Sequence, residues 1–448
     1  MFNFLLRNPV SSLVFSFAVA IFVGALCLRL PGATTNGISF LDALFTATSA
    51  ACVTGLSVLD TGTTFTVFGQ TIIMVLVQLG GLGIMTAGAF MFLFFKRIGI
   101  GTGAGFKKIM VEEYISDARR AVKFIVISTF LIEAAGAALL FLAWQGIFSD
   151  TGKLAFNAVF HSVSAFCNAG FSPFPNNLES FKGDIFINSI FSSLIILGGI
   201  GFIVLDDFWK NTITFWKNLF SGRHRRLRLS LHTKIVLAAT AIIIFSGTLM
   251  FYFFERENLS NLSQKELALS SFFQVITSRT AGFNTLNIGA LTSPTLMLLM
   301  IIMTIGAAPA SCAGGIKVTS LVLAIAATAA FLKSRVEIVL FGRTIPRIQA
   351  RQIFVLSSLY LIFCLFIGLA LLYTETGSYE KIMFEVFSAM GTVGLTAGIT
   401  PLLTGIGKVL IIITMFAGRL LPLSIAIIGA KELIKSEIIY PEEKIILG

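Results

Sequence analysis

The stretch from Phe45 to Leu56, FTATSAACVTGL, constrains the fold most, because three degenerate copies of it follow: Phe160 to Phe171 (FHSVSAFCNAGF), Phe272 to Phe283 (FFQVITSRTAGF) and Phe384 to Leu395 (FEVFSAMGTVGL). In each copy a Phe stands ten residues before a Gly. Those glycines, Gly55, Gly170, Gly282 and Gly394, are 115, 112 and 112 residues apart, so the chain reads as four repeated units. A segment used four times points to fourfold work around an axis. The work that suits it is a ring of backbone carbonyls that replaces the water around an ion.

The medium for that work follows from composition. Hydrophobic residues make up 56% of the chain and charged residues 12%, with a mean hydropathy of +0.91, which fits an integral membrane protein and not a soluble domain. The net charge of +11 is placed on alternate connections. Stretches 96–123, 206–234 and 333–351 hold seven, seven and five basic residues, whereas 29–68, 145–185, 255–290 and 373–408 hold one, two, three and two. That is the positive-inside asymmetry, and it argues against nucleic acid as the partner. It predicts a multi-pass protein of the cell (inner or plasma) membrane, with both termini and the basic stretches cytoplasmic. The basic run from Arg223 to Arg228 reads as a solvated cap that sets orientation, with anionic membrane lipid or a cytoplasmic partner as the alternative contact. The first apolar run, Val10 to Leu28, is too long for a signal-peptide core and lacks a small-residue cleavage site, so it is expected to stay as a helix.

Between long apolar runs lie short ones. Asp42 to Val53 spans about 18 Å as a helix, too short for a hydrocarbon core of about 30 Å, so it must go in and come back. Leu154 to Cys167, Glu266 to Ser278 and Glu380 to Met390 repeat that form. The fold class this predicts is an all-α integral membrane protein of four pseudo-symmetric helix, pore loop, helix repeats around a central pore. It has eight transmembrane helices, and the repeats fall at 1–110, 111–231, 232–345 and 346–448. The second helix of repeat three is expected to be broken, because Gly306 to Lys317 carries Pro309 and several glycines in mid-span before apolar residues resume at Val318. Such an interruption, here a flexible intramembrane loop at 306–317, points to a transport pathway. Repeat two is expected to close with one span from Ile185 to Leu205.

A short helix that comes in from outside points its C-terminus, about half a negative charge, at the middle of the protein. Four such ends would favour a cation there, and the turns after them need Gly for backbone conformations other residues resist. The candidate filter residues are Val53, Thr54 and Gly55; Asn168, Ala169 and Gly170; Thr280, Ala281 and Gly282; and Thr392, Val393 and Gly394. An ordinary helix C-cap is the alternative for any one copy. The glycines of Leu79 to Gly83 and Leu197 to Gly201 follow no strand, so close packing or a bend explains them better than a nucleotide site. Arg419, inside the last span, reads either as a movable barrier beside a cation path or as a guanidinium satisfied by carbonyls. Lys317 has the same two readings, and Arg279 is expected to brace its short helix. The five cysteines lie scattered in apolar surroundings and read as small hydrophobes, with no metal site signalled. Asp42 and Glu385 form no acid/base pair, and His161 has no evident Ser or Cys partner, so the chain is not expected to be an enzyme.

Together the four degenerate turns, TSAACVTGL first and GTVGLTAG last, in helix, pore-loop, helix units resemble the superfamily of Trk, Ktr and HKT potassium transporters over essentially all 448 residues. With a short N-terminus and eight spans the chain is most similar to the KtrB branch. The resemblance implies potassium uptake driven by membrane potential, with K+ held at the carbonyls of Thr54, Gly55, Ala169, Gly170, Ala281, Gly282, Val393 and Gly394. It also implies an intramembrane gate made of Gly306, Pro309, Ser311, Gly314, Gly315 and Lys317 together with Arg419. It further implies a homodimer on a KtrA-like cytoplasmic nucleotide-binding ring, sodium as an activator, and no covalently bound cofactor. Gly rather than Ser at position 55 accompanies potassium permeation in the related plant transporters. A sodium or mixed-cation permease of the same fold is the alternative. No copy carries the complete TVGYG of potassium channels, and the 306–317 segment holds Ala307, Ala308, Ala310 and Cys312 where the family is richer in Gly and Ser.

Overall fold

The computed structural model describes residues 9–98, 107–221, 229–335 and 337–431. Arg7, the run from Arg223 to Arg228 and the C-terminal tail, which carry part of the orientation signal, lie outside them. The described part is mostly helical, with one small hairpin of β1 (Ile338–Leu340) and β2 (Arg343–Ile345).

Repeat one comprises α1 (Pro9–Leu28), the short α2 (Phe40–Ala51) and α3 (Val67–Ile98). Repeat two has α4 (Lys107–Ala143), the short α5 (Thr151–Phe166), and then α6 (Ile185–Gly199) and α7 (Phe202–Ser221). Repeat three has α8 (Leu231–Glu255), the short α9 (Gln264–Thr277), α10 (Ser293–Thr304) and α11 (Val318–Leu332). Repeat four has α12 (Arg347–Thr374), the short α13 (Tyr379–Gly391) and α14 (Gly405–Lys431). Among the described residues six helices are long and apolar enough to cross a membrane, and seven if the bent pair α6 and α7 counts as one span.

Three of the four short helices begin where a side chain supplies a cap. Ser39 Oγ accepts from Asp42 N, Asp150 Oδ1 accepts from Gly152 N, and Ser263 with Glu266 completes a capping box. The N-termini of α10 and α14 are held by carboxylates at the C-terminal ends of the long helices α8 and α12: Glu255 accepts from Thr292 N at 2.9 Å, and Glu375 accepts from Thr404 N at 2.9 Å. Each carboxylate meets a helix dipole at its positive end. Each short helix packs against the long helix before it, and contacts also run onward around the molecule. Thus α14 meets α2, α3 meets α5, α6 meets α9 and α10 meets α13, which closes the four repeats into a ring.

One ion pair ties the ends of that ring together. Lys408 of α14 reaches Asp42 of α2 with Nζ 2.6 Å from Oδ1, and both side chains are half-buried. Lys408→Met is expected to destabilise the protein by about 1–3 kcal/mol, because it leaves a half-buried carboxylate without its cation. A lowered thermal midpoint in detergent would show this; an unchanged midpoint would mean that the pair adds nothing.

The break expected in repeat three is present, with α10 ending at Thr304 and α11 starting at Val318. The single span expected from Ile185 to Leu205 is not. The chain bends by 101° between α6 and α7. Gly201 has φ of +81°, and a Cβ there would stand 2.6 Å from Pro309 O. The broken segment of repeat three supplies the hydrogen bonds that the bend removes. Ala308 N donates to Gly199 O at 2.9 Å, Cys312 N to Gly198 O at 3.2 Å, and Phe202 N to Ala310 O at 3.1 Å. Two interrupted helices satisfy each other, which is what a buried backbone requires away from water.

Candidate functional site

The four predicted turns meet. A Cβ built on Gly55 would stand 2.5 Å from Ala169 O, and one on Gly170 would stand 2.8 Å from Ala281 O. One on Gly282 would overlap Val393 O, and one on Gly394 would overlap Thr54 O. Each glycine thus abuts the carbonyl before the next glycine, and the fourth copy returns to the first. The glycines leave no room for a side chain, and all four have positive φ, from +69° to +94°.

The backbone on either side explains why carbonyls line the ring. Thr54 N donates to Ser49 O at 2.7 Å, Ala169 N to Ser164 O at 2.7 Å, Val393 N to Ser388 O at 2.8 Å and Gly282 N to Thr277 O at 3.3 Å. Each turn's N–H groups fold back onto its short helix, so its carbonyls face elsewhere. Among the described residues, the carbonyls of Thr54, Gly55, Ala169, Ala281, Gly282, Val393 and Gly394 accept no hydrogen bond. Gly170 O accepts one from Asn177 Nδ2 at 3.3 Å. Val53, Asn168, Thr280 and Thr392, two residues before each glycine, hold φ of +55°, +59°, +77° and +50°. For β-branched residues this conformation costs on the order of 1–3 kcal/mol each, and strain of this kind gathers at functional sites. Sequence reasoning expected glycine at the turns but not this second left-handed position. Buried hydroxyl oxygens of Thr54, Thr280 and Thr392 beside the ring lack a hydrogen-bond partner.

Above the ring lies a cavity of about 320 Å³ that touches all four glycines and is lined by Asp60, Glu179, Asn284 and Thr396 among others. Asp60 is held by Thr63, and Glu179 Oε1 accepts from Asn284 Nδ2 at 3.0 Å. Burial raises the Glu179 carboxyl above the usual glutamate value, against the lowering effects of Asn284 and Lys182. Its negative charge is therefore lost on acidification before that of a free glutamate. Cation entry into this cavity is expected to fall as the pH on its side drops into the range just above the ordinary glutamate pKa, and Glu179→Gln is expected to flatten that part of the profile. Identical pH profiles of influx for the two proteins would exclude Glu179 as a contributor.

Below the ring, the segment from Gly306 to Lys317 touches all three other repeats. Gly314 lies against Thr392 Oγ1 and 2.8 Å, from a built Cβ, to Gly391 O of repeat four. Ala310 packs against Gly88 of α3, and Cys312 Sγ lies 3.3 Å from Met85 Sδ, both in repeat one. Pro309 and its neighbours bond the bend in repeat two, as described above. The segment is closed on itself by Gly306 N to Ile316 O at 2.8 Å and by Ser311 Oγ to Ala308 O at 2.6 Å, while Gly315 takes φ of +63°. Lys317 Nζ donates to Ala313 O at 2.6 Å and to Gly314 O at 3.3 Å. Arg419 is 3% exposed and bridges two repeats, with Nη1 2.5 Å from Cys312 O and Nη2 3.2 Å from Gly80 O. Arg279, expected to brace its short helix, donates to Thr240 Oγ1 of the neighbouring α8 at 3.2 Å.

Two features differ from the sequence reading or were missed by it. His161, expected to have no Ser partner, lies 2.8 Å through Nε2 from Ser172 Oγ. Its other nitrogen meets the Asn157 carbonyl and not a carboxylate, so the orienting acid of a hydrolytic triad is absent from that place. Glu133 of α4 is buried, takes a bond from Gln78 Nε2 at 3.2 Å and lies 3.8 Å from Cys167 Sγ. A lone acid in the apolar run Val122 to Trp144 was the available signal. All five cysteines are free, and no group of three metal-ligating side chains occurs among the described residues.

A closed ring of four back-bonded turns, set in a sheath of apolar helices and covered from below by an interrupted helix, defines a membrane transport protein of the pore-loop type. A profile for TrkH, described as a cation transport protein, matches residues 4–439. The chain belongs to that family, which is one of transporters and not of enzymes. It is 39% identical to Ktr system potassium uptake protein B of Bacillus subtilis strain 168, over 98% of this chain and 97% of that one. It is 38% identical to the protein of the same name from Vibrio alginolyticus, over 97% and 94%. It is also 34% identical to the potassium/sodium uptake protein NtpJ of Enterococcus hirae, over 98% and 97%. The crystal structure of the potassium transporter TrkH from Vibrio parahaemolyticus shares the fold, with a TM-score of 0.72 at 21% identity over 96% of this chain and 85% of that one.

Proposed function

We propose that the protein takes up potassium across the plasma membrane, passively and down the membrane potential, through the ring at Gly55, Gly170, Gly282 and Gly394. The observation that carries this reading is the cyclic contact of the four turns, whose carbonyls, Gly170 O apart, are free of protein donors and whose short helices direct their negative ends inward. The carbonyls of residues 54–55, 169–170, 281–282 and 393–394 hold the ion, and the membrane potential contributes about 2.3 kcal/mol per charge per 100 mV. The names of the relatives from Bacillus subtilis and Vibrio alginolyticus support potassium as the ion. The segment 306–317 with Arg419 is the gate. The path crosses eight spans, in which the interrupted pair α10 and α11 serves as one, and both termini face the cytoplasm. A homodimer on a KtrA-like nucleotide-binding ring is the assembly suggested by resemblance to Ktr systems. Sodium is the candidate activator.

A sodium or mixed-cation permease is the second reading, favoured by the relative named for both ions. Growth on low potassium separates them. Cells stripped of their own potassium uptake systems are expected to grow when given this chain with its cytoplasmic partner. Failure to grow, together with sodium influx into vesicles holding the protein, would support the second reading.

A further inference from the structure

Three of the four turns are fastened a second time, on the side away from their short helices. His161 stands nine residues before Gly170, and Ser172 two residues after it. Their Nε2 to Oγ distance is 2.8 Å. His161 Nδ1 lies 2.8 Å from Asn157 O, a carbonyl that can only accept, so Nδ1 carries the proton and Nε2 accepts from the Ser172 hydroxyl. Glu385 stands nine residues before Gly394, and Thr396 two residues after it. The Thr396 hydroxyl donates to Glu385 Oε1, while Thr400 Oγ1 donates to Oε2 at 2.9 Å. In the third copy the pair is shifted by one residue, with Gln274 Nε2 donating to Thr285 Oγ1 at 3.4 Å. His161, Gln274 and Glu385 are all buried. The first copy lacks the device: Thr46, at the matching place, turns its hydroxyl to Asp42 O at 2.9 Å.

We propose that these side chains are clasps that set ion selectivity, each joining the body of a short helix to the outward leg of the turn that follows it. The proposal rests on the ring being the ion filter. Serine hydroxyls of the short helices hold each of three turns to one residue past its glycine at most: Ser49 Oγ accepts from Gly55 N at 3.0 Å, Ser388 Oγ accepts from Gly394 N at 3.1 Å and Ser164 Oγ donates to Phe171 O at 2.8 Å. Beyond that point the two legs of each turn are held unequally. The inward leg is fixed by its N–H groups, as the Ser49, Ser164, Thr277 and Ser388 carbonyls show. The outward leg runs into the open cavity, which Ser172 and Thr396 themselves line. A carbonyl ring discriminates against the smaller ion only while it resists closing around it, so an outward leg released from its helix allows sodium to be coordinated. The clasps differ chemically, as imidazole, amide and carboxylate, yet each ends on a hydroxyl two or three residues past the glycine. That common end is what a positioning role requires and what side-chain packing alone does not.

The test is the ratio of Rb+ to Na+ influx into proteoliposomes under an inside-negative potential, with the full-length chain. Ser172→Ala, Thr285→Val and Thr396→Val are each expected to lower that ratio about threefold to tenfold, the range of one lost net hydrogen bond. Ser172→Thr and Thr396→Ser, which keep the hydroxyl, are expected to restore it. Thr46→Val, in the copy without a clasp, is expected to leave it unchanged. Three clasps in three copies give independent readings should one variant fail to fold. An unchanged ratio in the hydroxyl-less variants, while Gly55→Ser lowers it, would overturn the clasps and leave the filter standing. An equal fall in Thr46→Val would also overturn them. If Gly55→Ser moves the ratio no more than the clasp variants do, and none moves it, the ring itself is not the filter.

Discussion

Gly55→Ser is expected to lower the preference for potassium over sodium by about tenfold, equivalent to about 1.4 kcal/mol of difference between the two ions at the ring. Gly55 has φ of +94°, where any side chain is strained, and its Cβ would stand 2.5 Å from Ala169 O and 3.1 Å from Gly170 Cα. Both obstacles are backbone of the second copy, so the first and second turns must part. The other three contacts of the ring keep their places, and the opening becomes uneven. Gly55→Ala brings the same Cβ without the hydroxyl and is expected to show most of the same loss. Rb+ and Na+ influx, measured in parallel on the same protein, is the check. A ratio unchanged in both variants would remove Gly55 from the ion path.

Arg419→Ala is expected to raise flux severalfold or more. Two causes act in the same direction. A fixed charge about 4 Å from a passing cation at an effective dielectric near 20 raises its energy by about 4 kcal/mol, the upper limit of the effect. The guanidinium also ties the 306–317 segment, through Cys312 O, to Gly80 O of α3. Arg419→Lys separates the causes, since it keeps the charge and loses the two-point hold. Flux that rises in both variants assigns the barrier to the tie, and flux that rises only with Ala assigns it to charge. Unaltered flux in both would reduce Arg419 to a packing role.

What could be read from sequence was whatever repeats or interrupts. The Phe and Gly spacing placed the four turns, and Pro309 with its neighbouring glycines placed the break between α10 and α11. The bend between α6 and α7 was hidden because Ile185 to Leu205 is a mostly apolar run without Pro or charge, and its Gly198, Gly199 and Gly201 look the same whether they serve packing or a bend. What decides between them is the loop about a hundred residues later that donates to Gly198 and Gly199. In the other glycine cluster packing is the answer: a Cβ on Gly80 would overlap Ala51 O, and one on Gly81 would lie 2.8 Å from Cys167 Sγ. The pairing of His161 with Ser172 was likewise invisible, since their meeting depends on how the turn between them closes. Left-handed backbone at Val53, Thr280 and Thr392 runs against the preference of β-branched residues. Only the ring, which fixes these turns from both sides, makes it tolerable.

Thallium is a close electronic and steric stand-in for potassium whose position anomalous diffraction reports directly. In crystals grown with Tl+, density is expected on the axis enclosed by the carbonyls of Thr54, Ala169, Ala281 and Val393, and it should weaken when K+ is added but not when Na+ is. Tl+ found only elsewhere, in protein that still transports it, would mean that the four turns meet for some other reason and that the ion takes a different way through.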